Sequence, residues 1–204
     1  MKFLLPLLFM QFLCVKCFPW DDCDGADLIC DQLLPVRPEL NEVVAYEDGE
    51  AVTYGFEDSN TTHNILAFRT EFEAGTSQRC QDEINAGFSI QGGEEAGFSL
   101  SLSTDVFNRN VLHFSFTFVD AFGPSNTETF EVIFDESGTG GVLSPFSSRT
   151  ISDTLLVGNT YEDVLLVEIP TAEEAGQVSA FYYSKTDGLL RVERIDQAAF
   201  IRID

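Results

Sequence analysis

Apolar and polar residues alternate strictly through the middle of the chain. In "GFSLSLS", residues 97–103, Phe and Leu fall on one side and the serines on the other. In "NVLHFSFTFV", residues 110–119, four apolar side chains share one face, and His113, Ser115 and Thr117 share the opposite face. A period of two over β-favouring residues predicts strands with one side in a core and one side in water.

The same pattern recurs along the rest of the chain, with short turns rich in Gly, Asn, Asp and Ser between the segments. In "KTDGLLRV", Asp187-Gly188 predicts a hairpin turn with a positive φ angle. No stretch shows a helical period of 3.6 residues. The sequence therefore predicts one all-β domain over residues 42–204, an antiparallel β-sandwich or open β-barrel. The further predicted strands are 51–56, 64–72, 82–90, 128–134, 149–157, 161–169, 178–184, 188–195 and 198–203.

The N-terminus has the pattern of an export signal. One positive charge at Lys2 precedes an apolar run over residues 3–13 that only Pro6 and Gln11 interrupt. This length is typical of a signal-peptide core and is too short to span a membrane. We expect export, with residues 1–17 as the leader. Residues 18–41 contain three prolines and a cluster of acids and are predicted to form an acidic tether.

The chain is strongly acidic, with a formal net charge of −23. Removal of residues 1–17 would take away two lysines and no acidic residue, so the mature chain would be more acidic still. Nucleic acid and anionic lipid head groups are therefore excluded as expected partners. Solubility accounts for most of this charge, and no cofactor is expected. Calcium is the one ion that the acidity favours, and "DDCDGAD", residues 21–27, comes nearest to a ligand loop, although it lacks the glycine and late glutamate of an EF-hand.

The cysteines bear on how the exported chain is held. Lipidation at Cys17 or Cys14 would anchor it in a membrane, whereas cleavage after residue 17 would release it into the medium. Neither cysteine follows the small residue that is usual at lipidation sites, so the local residues leave both outcomes open. Export also permits disulfides. A bridge between Cys30 and Cys80 would join the tether to the body.

Residues that could carry chemistry are few. The polar face of a predicted strand carries His113, and His63 lies in a predicted turn. No G-x-S-x-G motif is present, and the abundant carboxylates leave a glycosidase-like pair open as an alternative. Because Tyr182 and Tyr183 alternate, one of them is predicted to face outward, where its ring could contact a sugar. We expect a non-enzymatic module; a secreted hydrolase using a carboxylate pair and an open-barrel carrier of a small apolar ligand are the alternatives.

Several segments resemble uncharacterised bacterial cell-surface lipoproteins with a β-rich body. These are the short apolar leader ending near a cysteine, "VVAYEDGEAVTYGFED", "SQRCQDE", and the late pair "NTYEDVLLVEI" and "FYYSKTDGLLRVE". The resemblance covers roughly residues 42–203 and brings no catalytic residues. It implies a lipid-anchored protein of the cell envelope or outer surface, with a binding or envelope-structural role. The implied partners are the membrane, through the anchor, and an unidentified extracellular ligand.

Overall fold

A computed structural model describes most of the chain from Leu34 onward. The described residues are 34, 36, 38–60, 62–73, 81–90, 95–104, 107, 109–119, 126–134, 140–142, 147–156 and 158–203. Within them lie a 3₁₀ helix, Pro38–Val43, and thirteen strands. The strands are β1 Ala51–Phe56, β2 Thr62–Leu66, β3 Phe68–Phe72, β4 Glu83–Ile90, β5 Glu95–Thr104, β6 Asn110–Val119, β7 Asn126–Phe134, β8 Gly140–Val142, β9 Ser147–Leu156, β10 Asn159–Glu168, β11 Val178–Ser184, β12 Gly188–Arg194 and β13 Gln197–Arg202.

The strands form two antiparallel sheets. One has seven strands in the order β2-β1-β13-β12-β11-β10-β9, and the other has six in the order β3-β4-β5-β6-β7-β8. The sheets are open and share one hydrophobic core, so the fold is the predicted all-β sandwich rather than a barrel. The predicted hairpin at Asp187-Gly188 is confirmed: β11 pairs with β12, and Gly188 has a φ of 79°.

The prediction of a single strand over residues 64–72 is wrong. Ala67 separates β2 from β3, and these two strands belong to different sheets. The backbone N–H of Ala67 donates to Glu50 O at 2.8 Å, and its carbonyl accepts from the N–H of Gly49 at 2.9 Å. These bonds hold a buried corner between the sheets. The run "NILAF" stays apolar through the corner, so its pattern shows no break.

Aromatic rings from the two sheets contact one another across the core. Tyr54 of the seven-stranded sheet stacks on Phe88 of the other sheet, with ring centroids 4.5 Å apart. Phe181 of β11 lies 4.8 Å from Phe114 and 5.0 Å from Phe116, both on β6. Such contacts add to the free energy gained by burying the rings. The space between the sheets is therefore filled by side chains where these rings meet.

Three buried tyrosines hydrogen-bond across the core. The Tyr54 hydroxyl donates to Leu189 O at 2.6 Å, so the 2.9 Å contact between the Tyr46 and Tyr54 hydroxyls has Tyr46 as donor. Tyr46 in turn accepts from the N–H of Leu189 at 2.7 Å. The Tyr183 hydroxyl donates to Val43 O at 2.6 Å. Burial raises the pKa values of Tyr46 and Tyr183, so both remain neutral donors.

The chain contacts the body from Leu34 onward. The Leu34 carbonyl accepts from the N–H of Asp82 at 3.0 Å, and the N–H of Val36 donates to Asp82 Oδ2 at 3.0 Å. Leu34 and Val36 are buried. Both lie within the segment 18–41 that the sequence assigns to the tether, so the tether's last residues pack against the sandwich.

A carboxylate links the two sheets near one end of the sandwich. Glu128 on β7 accepts a hydrogen bond from the N–H of Val178 on β11 at 3.0 Å. The Arg194 guanidinium lies 4.2 Å from the centre of the Phe118 ring. Burial raises the pKa of Glu128, while the Val178 hydrogen bond and the Arg194 charge act in the opposite direction. The net shift is upward, so the folded state favours the protonated carboxyl.

Because the folded-state pKa is the higher one, Glu128 stabilises the fold fully at low pH, and this contribution is lost as pH rises from 4.5 through the raised pKa. Glu128→Gln keeps an acceptor for the Val178 N–H and does not ionise. We expect the wild type to lose stability relative to this variant as pH increases over that interval. Urea denaturation across the interval measures the difference, and Glu128→Ala, which lacks the acceptor, should be less stable than Glu128→Gln throughout. A wild-type-to-Gln difference independent of pH would contradict the assignment.

Candidate functional site

The cysteine predictions lie outside the described residues. This holds for lipidation at Cys17 or Cys14 and for the possible Cys30–Cys80 disulfide, so all of them stay predictions. The acidic stretch 21–27 considered for calcium also lies outside. In the part of the chain that the structure describes, no three His, Cys, Asp or Glu side chains are grouped to hold a metal ion. The same part contains no helix long and apolar enough to cross a membrane.

The structure places His113 on the outer face of the six-stranded sheet. Its Nδ1 lies 3.3 Å from Glu131 Oε1, and the two side chains are 34% and 47% exposed. Ser101 is directly opposite His113 on β5, and its hydroxyl donates to Glu83 Oε1 at 3.3 Å. The pair is a solvent-accessible acid–base contact on an open sheet face. The second histidine, His63, lies apart from it on β2, at the edge of the other sheet.

The two adjacent tyrosines of β11 face in opposite directions, as their alternation predicts. Tyr183 points into the core and is 1% exposed. Tyr182 lies on the outer face of the seven-stranded sheet and is partly exposed. In register it has Leu166 on β10 as one neighbour and Arg191 on β12 as the other. We call the outer surface around it the Tyr182 face, defined by Tyr182, Arg149, Glu168, Arg191 and Glu193.

Ion pairs surround the ring on the Tyr182 face. Arg191 makes a two-pronged contact with Glu57, at 3.2 and 3.0 Å, and its Nε donates to Glu193 Oε1 at 3.1 Å. Arg149 lies 3.7 Å from Glu168 on the other side. Burial alone would lower the pKa of Arg191, but its hydrogen bonds and charge interactions with the two carboxylates raise it. The arginine therefore stays charged and fixed in orientation.

Apolar residues border the same ring. Tyr161, Val164 and Leu190 form a small buried cluster separate from the main core, and Tyr182 packs against it. Burial raises the pKa of the Tyr182 hydroxyl, and the Glu193 charge raises it further, so the hydroxyl is a neutral donor near pH 7. The face thus combines an aromatic ring, a protonated hydroxyl and fixed charges of both signs.

Sequence reasoning located Tyr182 but not its charged neighbours. Arg191 and Glu57 are 134 residues apart in the chain, and their contact depends on the strand order β1-β13-β12. The one local signal is the spacing of Arg191 and Glu193 in "LLRVER", which places both on one face of a strand. Nothing in the sequence pairs either of them with β1.

Comparison with protein-family models, curated proteins and solved structures found no match for this chain. The assignment of a site therefore depends on the residues described above.

Proposed function

We propose that this protein is an exported, lipid-anchored, non-enzymatic binding module of the cell envelope or outer surface. The observation that carries the proposal is the filled aromatic core. Phe114, Phe116 and Phe181 occupy the space between the sheets, so a binding module that uses its outer faces fits the fold better than a carrier with an internal ligand.

The export and anchoring part of the proposal derives from the N-terminus. The short apolar leader, its cysteines and the acidic stretch after them are the features shared with the lipoproteins that the chain resembles. Lipid attachment at Cys17 or Cys14 would hold the sandwich near the membrane through the segment that begins at residue 18. The high negative charge keeps such a domain away from anionic head groups.

The Tyr182 face is the surface we assign to ligand binding. A partly exposed tyrosine offers an apolar ring for stacking and a hydroxyl for hydrogen bonding. Arg191 and Arg149 supply donors at fixed positions beside it, and Glu193 and Glu168 supply acceptors. A polyhydroxylated ligand such as a glycan has the matching combination of C–H surface and hydroxyl groups. We propose an extracellular glycan as the ligand class.

Substitution of Tyr182 tests this assignment. Tyr182→Ala removes the stacking ring and should weaken glycan binding by about tenfold or more, the equivalent of about 1.4 kcal/mol. Tyr182→Phe keeps the ring and should retain most of the affinity. The measurement is a glycan-array screen followed by titration of the best ligand.

The control is Phe107→Ala, which removes a ring of comparable size that is 74% exposed elsewhere on the surface. Its affinity should match that of the wild type. A glycan bound equally well by the wild type and Tyr182→Ala would rule out the Tyr182 face, and no binding across the array would rule out the glycan.

A further inference from the structure

The outermost strand β9 is an unusually long edge. Among the described residues the four sheet edges are β2, β3, β8 and β9, and β9 has ten residues whereas the others have five, five and three. Short edge strands, lysines, prolines and bulges are the usual protection against pairing with another chain. The sequence of β9, "SSRTISDTLL", contains no lysine and no proline. We propose that two copies of this protein associate by antiparallel pairing of their β9 edges.

The hairpin register indicates which backbone groups face outward. Leu156 pairs with Asn159, two residues separate them in the chain, and in such a tight hairpin the flanking residues hydrogen-bond to each other. Hydrogen bonding alternates along an antiparallel ladder, so the even-numbered residues of β9 bond to β10. The N–H and C=O groups of Arg149, Ile151 and Asp153 are thereby directed toward the open side of the strand.

The charges on β9 suit pairing with itself. The strand has one arginine and one aspartate, four residues apart, with Ile151 midway between them. An antiparallel pair centred on Ile151 places Arg149 opposite Asp153 of the second copy, and the two-fold axis repeats this contact. Oppositely charged cross-strand pairs are stabilising, and like charges in the same place are destabilising. No other edge strand among the described residues has this self-complementary arrangement.

The exposed side chains of β9 also fit a second copy. Leu155 is 69% exposed, and in the same register it lies opposite Ser147 of the second copy. The Arg149 side chain is 63% exposed, and its guanidinium is 3.7 Å from the Glu168 carboxylate, so it can also reach an aspartate across the strands. The pairing would continue the seven-stranded sheet through both copies and leave the inner core of each unchanged.

A charge exchange tests the register directly. The protein is purified as the cell exports it, and its mass in solution is measured over a range of concentrations by light scattering, with any detergent mass subtracted. Wild type should be a dimer. Arg149→Asp and Asp153→Arg each place like charges opposite each other twice, so each should raise the dimer dissociation constant by about tenfold or more. The double variant R149D/D153R restores opposite charges and should return the constant to near the wild-type value.

Matched controls separate pairing from general charge effects. Lys185→Asp and Glu162→Arg make the same changes in net charge at exposed positions off β9 and should leave the dimer intact. Circular dichroism confirms that each variant is folded. A monomeric wild type would overturn the proposal, as it would if another segment of the chain covered β9. A dimer that both single variants leave unchanged, or that the double variant fails to restore, would overturn it as well.

Discussion

Phe181→Ala should lower the free energy of unfolding by about 3–5 kcal/mol, the range for removing a buried phenylalanine ring. Phe181 is fully buried, and its ring contacts three phenylalanines of the opposite sheet. The centroid distances are 4.8 Å to Phe114, 5.0 Å to Phe116 and 5.7 Å to Phe130. Removing the ring leaves a cavity at the centre of the contact between the sheets, and neighbouring strands cannot close it without losing their own pairing.

Equilibrium denaturation in urea measures this loss. Phe107→Ala is the matched control because it removes the same atoms from a side chain that is 74% exposed, and it should change stability by less than about 0.5 kcal/mol. A loss below about 1 kcal/mol for Phe181→Ala would mean that the ring is loosely packed. That result would favour the carrier of a small apolar ligand over the binding module.

Gly188→Ala is expected to cost about 3 kcal/mol of stability. Gly188 has a φ of 79°, a conformation that side chains with a Cβ adopt at a cost of roughly 1–3 kcal/mol. A Cβ at this position would also lie 2.4 Å from Cζ of Tyr46, a ring held by hydrogen bonds to Tyr54 and Leu189. The ring would have to move within a packed core, which adds about 1–3 kcal/mol.

Gly49→Ala separates these two effects. Gly49 has nearly the same φ, 78°, but a Cβ there would meet no atom within 4 Å. Its substitution should show the conformational cost alone, and the difference between the two variants measures the displacement of Tyr46. Equal losses of stability for the two variants would show that Tyr46 yields without resistance.

The fold was predictable where local chemistry determines it. The alternation in β5 and β6 follows from burying one face of each strand, and the Asp187-Gly188 turn follows from the need for a positive φ. The corner at Ala67 was not predictable, because the chain changes sheets through backbone hydrogen bonds to Gly49 and Glu50 that leave no trace in the side-chain pattern.

The candidate site was predictable only in its centre. Alternation placed one of Tyr182 and Tyr183 outside the sheet, but which one depends on which face meets the core. The partners of Arg191 depend on a strand order in which β1 and β12 flank β13, and long-range pairing of this kind cannot be deduced from spacing in one sequence. The self-complementary charges of Arg149 and Asp153 are visible in the sequence, but their meaning requires that β9 be an edge.

The intact mass of the protein from native membrane and medium fractions tests the central claim most directly. We expect the membrane fraction to contain a chain that begins at Cys17 or Cys14 and has the additional mass of a diacyl or triacyl group. An unmodified chain that begins near Phe18 and is found in the medium would contradict the anchor and identify a freely secreted protein.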